Sequence, residues 1–485
     1  MDIALRSATK LVRALQSKKI GALELLEHYL ARIAQLDGAL NALPVLDIEA
    51  ARKRARAIDR QGAHLAGPLA GLPMTVKESF DVAGLPTTWG LTEYRRKRVK
   101  EDALAVQRFR AAGANVFGKS NVPTLLADWE TLNPVYGKTV NPWNPLRTPG
   151  GSSGGAAVAL ATGMTGLEAG SDIGGSIRNP AHYCGVYGHK PTYGLCAMQG
   201  HALPGVAHPA DISAIGPLAR SAFDLELALK IMAGPETIDS VALRLQLPKA
   251  RFSSVRGLRI AVLLTHPTAE VDTTQQQAIH ALARSLSRAG AMVSFRARPA
   301  IDFDEAHRVF LQLLRGATSG RQTNAVFAKM QAARAGLRAN DQRYYAQMVR
   351  ANTQHHRDWL TASNRRYQMR LAWADFFKDW DVLLCPNAAT AAFAHSMPGE
   401  RWERFIQVNG QRQPVTTQMW WAGISGMCGL PGTAAPIGLS PEGLPLSVQI
   451  VGPHYSDLST IRLAQRIERD YYAFVPPPVA RSLPA

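Results

Sequence analysis

The sequence predicts an α/β protein folded as one extended domain. Three observations carry that expectation. From Gly71 onward, short β-prone runs alternate with segments of helical period, the texture of a sheet flanked by helices. Ahead of Gly71, residues 7–61 place apolar side chains at 3- and 4-residue spacing, which is the period of amphipathic helices. Within the 485 residues there is no internal repeat and no low-complexity linker to separate halves.

The elements follow in order. Leu11 and Leu15, then Leu23, Leu26, Tyr29, Leu30 and Ile33, then Ile48 to Ile58 with Arg and Lys opposite, predict an N-terminal helical layer over residues 1–65. Leu72–Lys77 reads as a strand, Ala103–Ala112 as a helix and Ala114–Phe117 as a strand again. Residues 133–155 are dense in Asn, Pro and Gly and predict a long loop without regular structure, leading to a helix over Ser153–Ala161. Further strands are expected at Leu258–Leu264, Ala291–Phe295, Asp381–Cys385 and Leu446–Val451. Helices are expected at Ala222–Met232, Thr274–Ala289 and Ser459–Tyr471. Residues 303–379 are polar, rich in Arg, Gln and Ala, and predict a helical insertion near the mouth of the site.

Composition narrows the class. At 46% hydrophobic and 19% charged the chain is ordinary for a globular protein. Its longest apolar runs fall short of the roughly 18 residues that a membrane span needs, and Met1–Arg6 shows no secretory pattern, so a cytoplasmic protein is expected. Cys184, Cys196, Cys385 and Cys428 form no CxxC pair, which points away from a structural metal or a disulfide framework. The formal charge of +18 raises nucleic acid as a partner. The basic residues are dispersed, and the clusters at Ala51–Arg60 and Arg95–Arg98 read as solvated faces, so no nucleic-acid partner is expected.

One motif is misleading. Gly113–Ser120 matches the phosphate-binding pattern GxxxxGK[ST], but a helical segment precedes it and β-formers lie inside it, the reverse of a strand–loop–helix phosphate site. The informative stretches are Gly150-Gly151-Ser152-Ser153-Gly154-Gly155 and Gly170-Ser171-Asp172-Ile173-Gly174-Gly175-Ser176-Ile177-Arg178. Either alone is explained by a glycine turn and a serine helix cap. Together they set two serines in backbone open to a substrate carbonyl. The strand ending at Lys77 adds a lysine that becomes a base if burial lowers its pKa.

On these residues, with Val76–Asp81, Gly113–Asn121, Gly137–Trp143, Gly188–Thr192, Gly216–Ser221, Asp381–Pro386 and Gly429–Gly452, the chain resembles the amidase signature family over nearly its full length. The resemblance implies a large twisted mixed β-sheet covered by helices on both faces. It also implies a Ser-cisSer-Lys triad carried by Ser176, Ser152 and Lys77. Ser176 would attack the carbonyl, Ser152 would relay the proton and neutral Lys77 would receive it. Backbone N–H groups of Ile173, Gly174, Gly175 and Ser176 would form the oxyanion hole, each worth about 3 kcal/mol in related chemistry. No metal or cofactor is implied. Ser153, Asp172 and Arg178 would orient the loops or serve simple structural roles. His182 and His189 lie in no GxSxG elbow, and Cys184 has no thiolate-stabilising surroundings in the sequence, so none is favoured as base or nucleophile.

Leu126, Asp128 and Trp129, in a segment that the resemblance sets beside the site, and Trp421 are expected substrate contacts; the tryptophans line an apolar pocket or pack the core. Ser425–Cys428 stands where many family members carry Asn. The expected activity is a free-standing amidohydrolase, monomer or homodimer, acting on a small or aryl amide, with esters and carbamates open to the same acyl-enzyme chemistry. The alternative is the glutaminase subunit of a tRNA-dependent amidotransferase.

Overall fold

The computed structural model, which describes residues 2–481, resolves the alternating segments into an 11-stranded mixed sheet. In spatial order its strands are Val45–Leu46, Asn115–Ser120, Pro73–Lys77, Glu168–Asp172, Ala214–Ala219, Tyr187–Lys190, Gly432–Leu439, Pro445–Val451, Val382–Cys385, Arg259–Val262 and Met292–Ser294. Pro73–Lys77 runs parallel to both Asn115–Ser120 and Glu168–Asp172, with Val76 opposite Lys119 on one side and Ala169 on the other. The middle of the sheet, from Glu168–Asp172 across to Val382–Cys385, is antiparallel.

Strands that read clearly in the sequence are those rich in Val, Ile and Leu. Glu168–Asp172, Tyr187–Lys190, Ala214–Ala219 and Gly432–Leu439 do not, and they are all central. Each is buried over most or all of its length, so no polar face alternates with an apolar one. Glu168–Asp172, Ala214–Ala219 and Gly432–Leu439 are also built largely from Gly, Ala, Ser and Pro, which carry weak β-propensity, and Tyr187–Lys190 is a short Tyr-Gly-His-Lys run.

The N-terminal helices are Ala8–Gln16, Ala22–Leu40 and Ile48–Gln61. Gly21 has no side chain to cap Ala22–Leu40. Asp59 from the following helix does so instead, accepting from the Ala22 and Leu23 amides at 2.6 and 3.0 Å. Leu25, Leu26, Tyr29, Ile33 and Leu36 then face the main core. Residues 303–379 fold into Phe303–Ser319, Asn324–Ala335, Tyr344–Asn352 and His356–Asp379. Phe310, Leu313, Leu314, Trp373 and Phe377 from this block pack with Trp420 and Trp421 in a second core.

Within the loop expected over 133–155, Gly137–Lys138 pairs antiparallel with Leu132–Asn133, and Gly154 and Gly155 already open the following helix. The remainder is held by side chains. Asn141 donates to the carbonyls of Thr148 and Tyr183 at 2.8 and 3.2 Å, and Thr131 donates to the Gly150 carbonyl at 2.8 Å. Ser153 precedes the helix Gly154–Ala161, but its side chain makes no capping bond.

The apparent phosphate loop is a strand. Val116 and Phe117 lie in the core, and buried Lys119 donates to Thr87 Oγ1 at 2.9 Å and to the Pro86 carbonyl. Gly113 makes the turn into it at φ +89°, where an added Cβ would lie 1.7 Å from the Ala66 carbonyl oxygen. Gly113→Ala is therefore expected to cost about 1–3 kcal/mol, read as a lower urea midpoint.

Candidate active site

Pro73–Lys77 is buried at every position and delivers the Lys77 side chain to the ends of two glycine-rich turns. Lys77 Nζ lies 2.7 Å from Ser152 Oγ, 2.9 Å from Ser171 Oγ and 3.4 Å from the Ser171 carbonyl oxygen. The Gly151–Ser152 peptide bond is cis. Ser176 is tied to the same turn through its backbone, its carbonyl accepting from the Ser153 amide at 3.1 Å.

Burial pushes the Lys77 ammonium well below its ordinary pKa. The charge of Asp172 works against that shift and Arg321 adds to it. Glu168, which sits on the adjacent strand opposite Thr75, is itself pushed up to about 8 by burial, against hydrogen bonding from Thr75. Burial thus disfavours the charged form of both groups, the Lys77 ammonium and the Glu168 carboxylate. Sequence alone gives Ser171 no role, although it lies inside the Gly170–Arg178 stretch; only the folded contact reveals it.

The turn after Glu168–Asp172 is organised by Asp172 and Arg178. Arg178 Nε and Nη2 reach Asp172 Oδ2 and Oδ1 at 2.9 and 2.8 Å, a bidentate pair with both side chains buried. Arg178 Nη1 donates to the Ala422 carbonyl, Ser425 Oγ and Gln449 Oε1 at 3.0, 2.8 and 2.7 Å. Burial alone would raise the Asp172 carboxyl, but the Arg178 charge and its hydrogen bonds outweigh it and hold the group well below the usual range. Ser425, in the stretch that departs from the family pattern, is thus a partner of Arg178. Ser153 Oγ reaches the Ser171 carbonyl at 3.5 Å.

The turn corrects one expectation about its amides. Gly175, at φ +95°, donates its N–H to Asp172 Oδ1 at 2.8 Å, so this donor is already engaged within the turn. Ile173, Gly174 and Ser176 line a cavity of about 170 Å³. Trp129 Nε1 donates to the Gly174 carbonyl at 3.0 Å and braces the turn.

Leu126, Asp128 and Trp129 line this cavity, together with Met419 and Val415. Trp421 does not: it is fully buried in the second core and donates to the Ala269 carbonyl at 3.1 Å. Helical period explains the correction, since Met419 and Trp421 are two positions apart on Gln418–Gly426 and point to different sides. The sequence reading also missed Leu314, Arg315, Thr318, Arg321 and Tyr344, which reach the cavity from the 303–379 helices and the turn after the first of them. The 303–379 block is expected near the mouth of the site, but its polar, Arg-rich pattern singles out none of these residues.

The rejected residues are elsewhere engaged. His182 is buried between Ser447 Oγ and the Thr390 carbonyl, and burial lowers it to about 4. His189 lies between Thr433 and Asp457. Burial pushes the Cys184 thiol up, the opposite of an activated nucleophile. Among the described residues no group of three or more His, Cys, Asp or Glu is placed to hold a metal ion, and no helix is long and apolar enough to cross a membrane.

A model of the Amidase family matches residues 24–461. The chain belongs to the amidase signature family. Relatives of this amidase include a glutamyl-tRNA(Gln) amidotransferase subunit of Roseiflexus castenholzii, 30% identical over 94% of each chain. An indoleacetamide hydrolase of Bradyrhizobium diazoefficiens is 32% identical, over 95% of this chain and 86% of that one. Among solved structures, a bacterial aryl acylamidase of the amidase signature family superposes with a TM-score of 0.80 at 25% identity over 99% of both chains. Membership makes the protein an enzyme acting on C–N bonds.

The Glu168 shift has a direct consequence for this amidase. Its folded pKa of about 8 lies above the ordinary 4.5. The stability it contributes is complete below the unfolded value and is lost as pH rises through the folded one. Glu168→Gln should flatten that loss, so that variant and wild type diverge in urea midpoint between about pH 5 and about pH 9, with the variant less affected at the alkaline end.

Proposed function

We propose that this protein is a serine amidohydrolase that cleaves the C–N bond of small or aryl amides through an acyl-enzyme on Ser176. The observation that carries the reading is the buried Lys77, lowered in pKa by desolvation and 2.7 Å from Ser152 Oγ, beside a cavity on which Ser176 opens. Ser176 Oγ attacks the carbonyl carbon. Its proton passes to Ser152, and the Ser152 proton passes to Lys77 Nζ. The link from Ser176 to Ser152 forms as substrate enters, since such bonds tighten in the bound complex. Ile173, Gly174 and Ser176 line the cavity and their amides are the donors assigned to the developing oxyanion, while Gly175 serves the turn through Asp172.

Collapse of the tetrahedral intermediate breaks the C–N bond, and the amine leaves with the proton returned from Lys77 through Ser152. Water then attacks the Ser176 ester, its proton passing through Ser152 to Lys77, and as the acid departs that proton returns along the same route to Ser176 Oγ. The same steps serve esters and carbamates, which differ in the leaving atom or in the group beside the carbonyl. Leu126, Trp129 and Met419 give the cavity an apolar wall suited to an aryl group. The enzyme acts as a monomer or homodimer without nucleic acid.

A second reading, the glutaminase subunit of a tRNA-dependent amidotransferase, draws on the charge of +18 and on the 30% identity to the Roseiflexus castenholzii amidotransferase chain. Gel filtration with tRNA separates the two. Co-elution in a defined complex with glutaminase activity supports the second, and turnover of anilides by the isolated chain supports the first.

Ser176→Ala is expected to reduce hydrolysis by at least about 10³-fold with the fold retained by circular dichroism; near-native turnover would exclude Ser176 as nucleophile. Wild-type activity should fall on the acid side as Lys77 takes up a proton. Lys77→Met should lower kcat by a comparable factor and remove that limb. A substrate panel of anilides, primary amides, aryl esters and carbamates ranks the leaving groups.

A further inference from the structure

Three arginines line the same cavity as Ser176, and none has a carboxylate partner among the described residues. Arg315, on Phe303–Ser319, is 7% exposed. Its Cζ lies 5.5 Å from the centre of the Tyr344 ring, it donates to the Tyr344 hydroxyl, and its Nε–H is buried without an acceptor. Arg321, just past that helix, places Cζ 5.0 Å over the Trp89 ring. Arg401 donates to the Ala127 carbonyl, and its Nε–H is likewise buried without an acceptor. Arg404 nearby shows the contrast, since it is paired with Asp128 at 2.9 Å and Glu130 at 3.1 Å. The acidic residue lining the cavity is therefore already neutralised.

A buried guanidinium without a counter-ion is costly. Aromatic faces offset part of that cost but engage no in-plane N–H, and the Arg315 Nε–H stays without an acceptor although another of its donors reaches the Tyr344 hydroxyl. Burial and the neighbouring arginine charges lower Arg315 and Arg321 to about 10, so both remain cationic at neutral pH. Planar, forked donors of this kind match a carboxylate.

We propose that the cavity holds a carboxylate on the substrate, with Arg315 and Arg321 as its anion-binding residues, so that the amide cleaved at Ser176 belongs to a carboxylate-bearing molecule. The proposal rests on the reading of Ser176 as nucleophile, but anion binding can be measured apart from it. Two matched pairs test the substrate class. Succinanilic acid is set against 4-methylpentananilide for a charge on the acyl side, and 4-acetamidobenzoate against 4-isopropylacetanilide for a charge on the amine side.

The carboxylate member of one pair should show a kcat/KM about ten- to a hundredfold above its neutral isostere, the range expected of charge-assisted hydrogen bonds. Arg315→Met and Arg321→Met should each lower that ratio about tenfold, with partial recovery in the Lys variants. A purely structural role would lower both members alike and leave the ratio unmoved. Calorimetric titration of Ser176→Ala with the same four compounds reads binding without turnover. Carboxylates that bind no more tightly than their isosteres overturn the carboxylate site, whatever the catalytic result. Carboxylate-selective binding with no turnover and no labelling of wild-type Ser176 by phenylmethanesulfonyl fluoride instead overturns the nucleophile and leaves the anion site standing.

Discussion

The buried Asp172–Arg178 pair is the contact on which the site's geometry depends. One carboxylate gathers the amides of Gly175 and Ile177 and the fork of Arg178, while the far nitrogen of that guanidinium reaches Ala422, Ser425 and Gln449. The turn carrying Ser176, the helix Gln418–Gly426 and the strand Pro445–Val451 are thereby fixed to one another. Both ions are desolvated, so the arrangement is tolerable only because their hydrogen-bonding capacity is met. The same pair takes the Gly175 amide out of use, which leaves Ile173, Gly174 and Ser176 to face the cavity.

Against that rigid frame, the charges around Lys77 are set by burial. The lysine ends a strand with no exposed residue and finds two serine hydroxyls, while the nearby carboxyl of Glu168 is itself driven towards its neutral form. Asp172 keeps its charge because Arg178 neutralises it. Two carboxyl groups near one lysine thus have opposite protonation, and the difference comes from their partners. The cavity carries the complementary imbalance, with cations supplied by Arg315 and Arg321 and its one acid, Asp128, already paired with Arg404.

Much of the fold was legible in residues with strong local signals. Val, Ile and Leu marked the strands Arg259–Val262, Val382–Cys385 and Pro445–Val451, and 3- and 4-residue spacing marked the helices. The central strands escaped because burial on both faces removes alternation and because they are built from small residues. Trp421 and Gly175 show the same limit within the site. An aromatic residue beside the pocket in sequence lies in the core, and an amide inside the right motif is claimed by a carboxylate three residues earlier.

By itself the sequence determined the family, the glycine-framed serines and the lysine at a strand end, because these rest on residue type and order. Only the tertiary structure decided that Lys77 is desolvated, that Ser171 shares it, that Asp172 engages the Gly175 amide and that arginines without a carboxylate partner, from a distant helical block, meet Ser176 across one cavity. Desolvation and competition for hydrogen-bond partners depend on what surrounds a group in space, and neighbours brought together from residues 77, 152, 171 and 315 leave no local pattern along the chain.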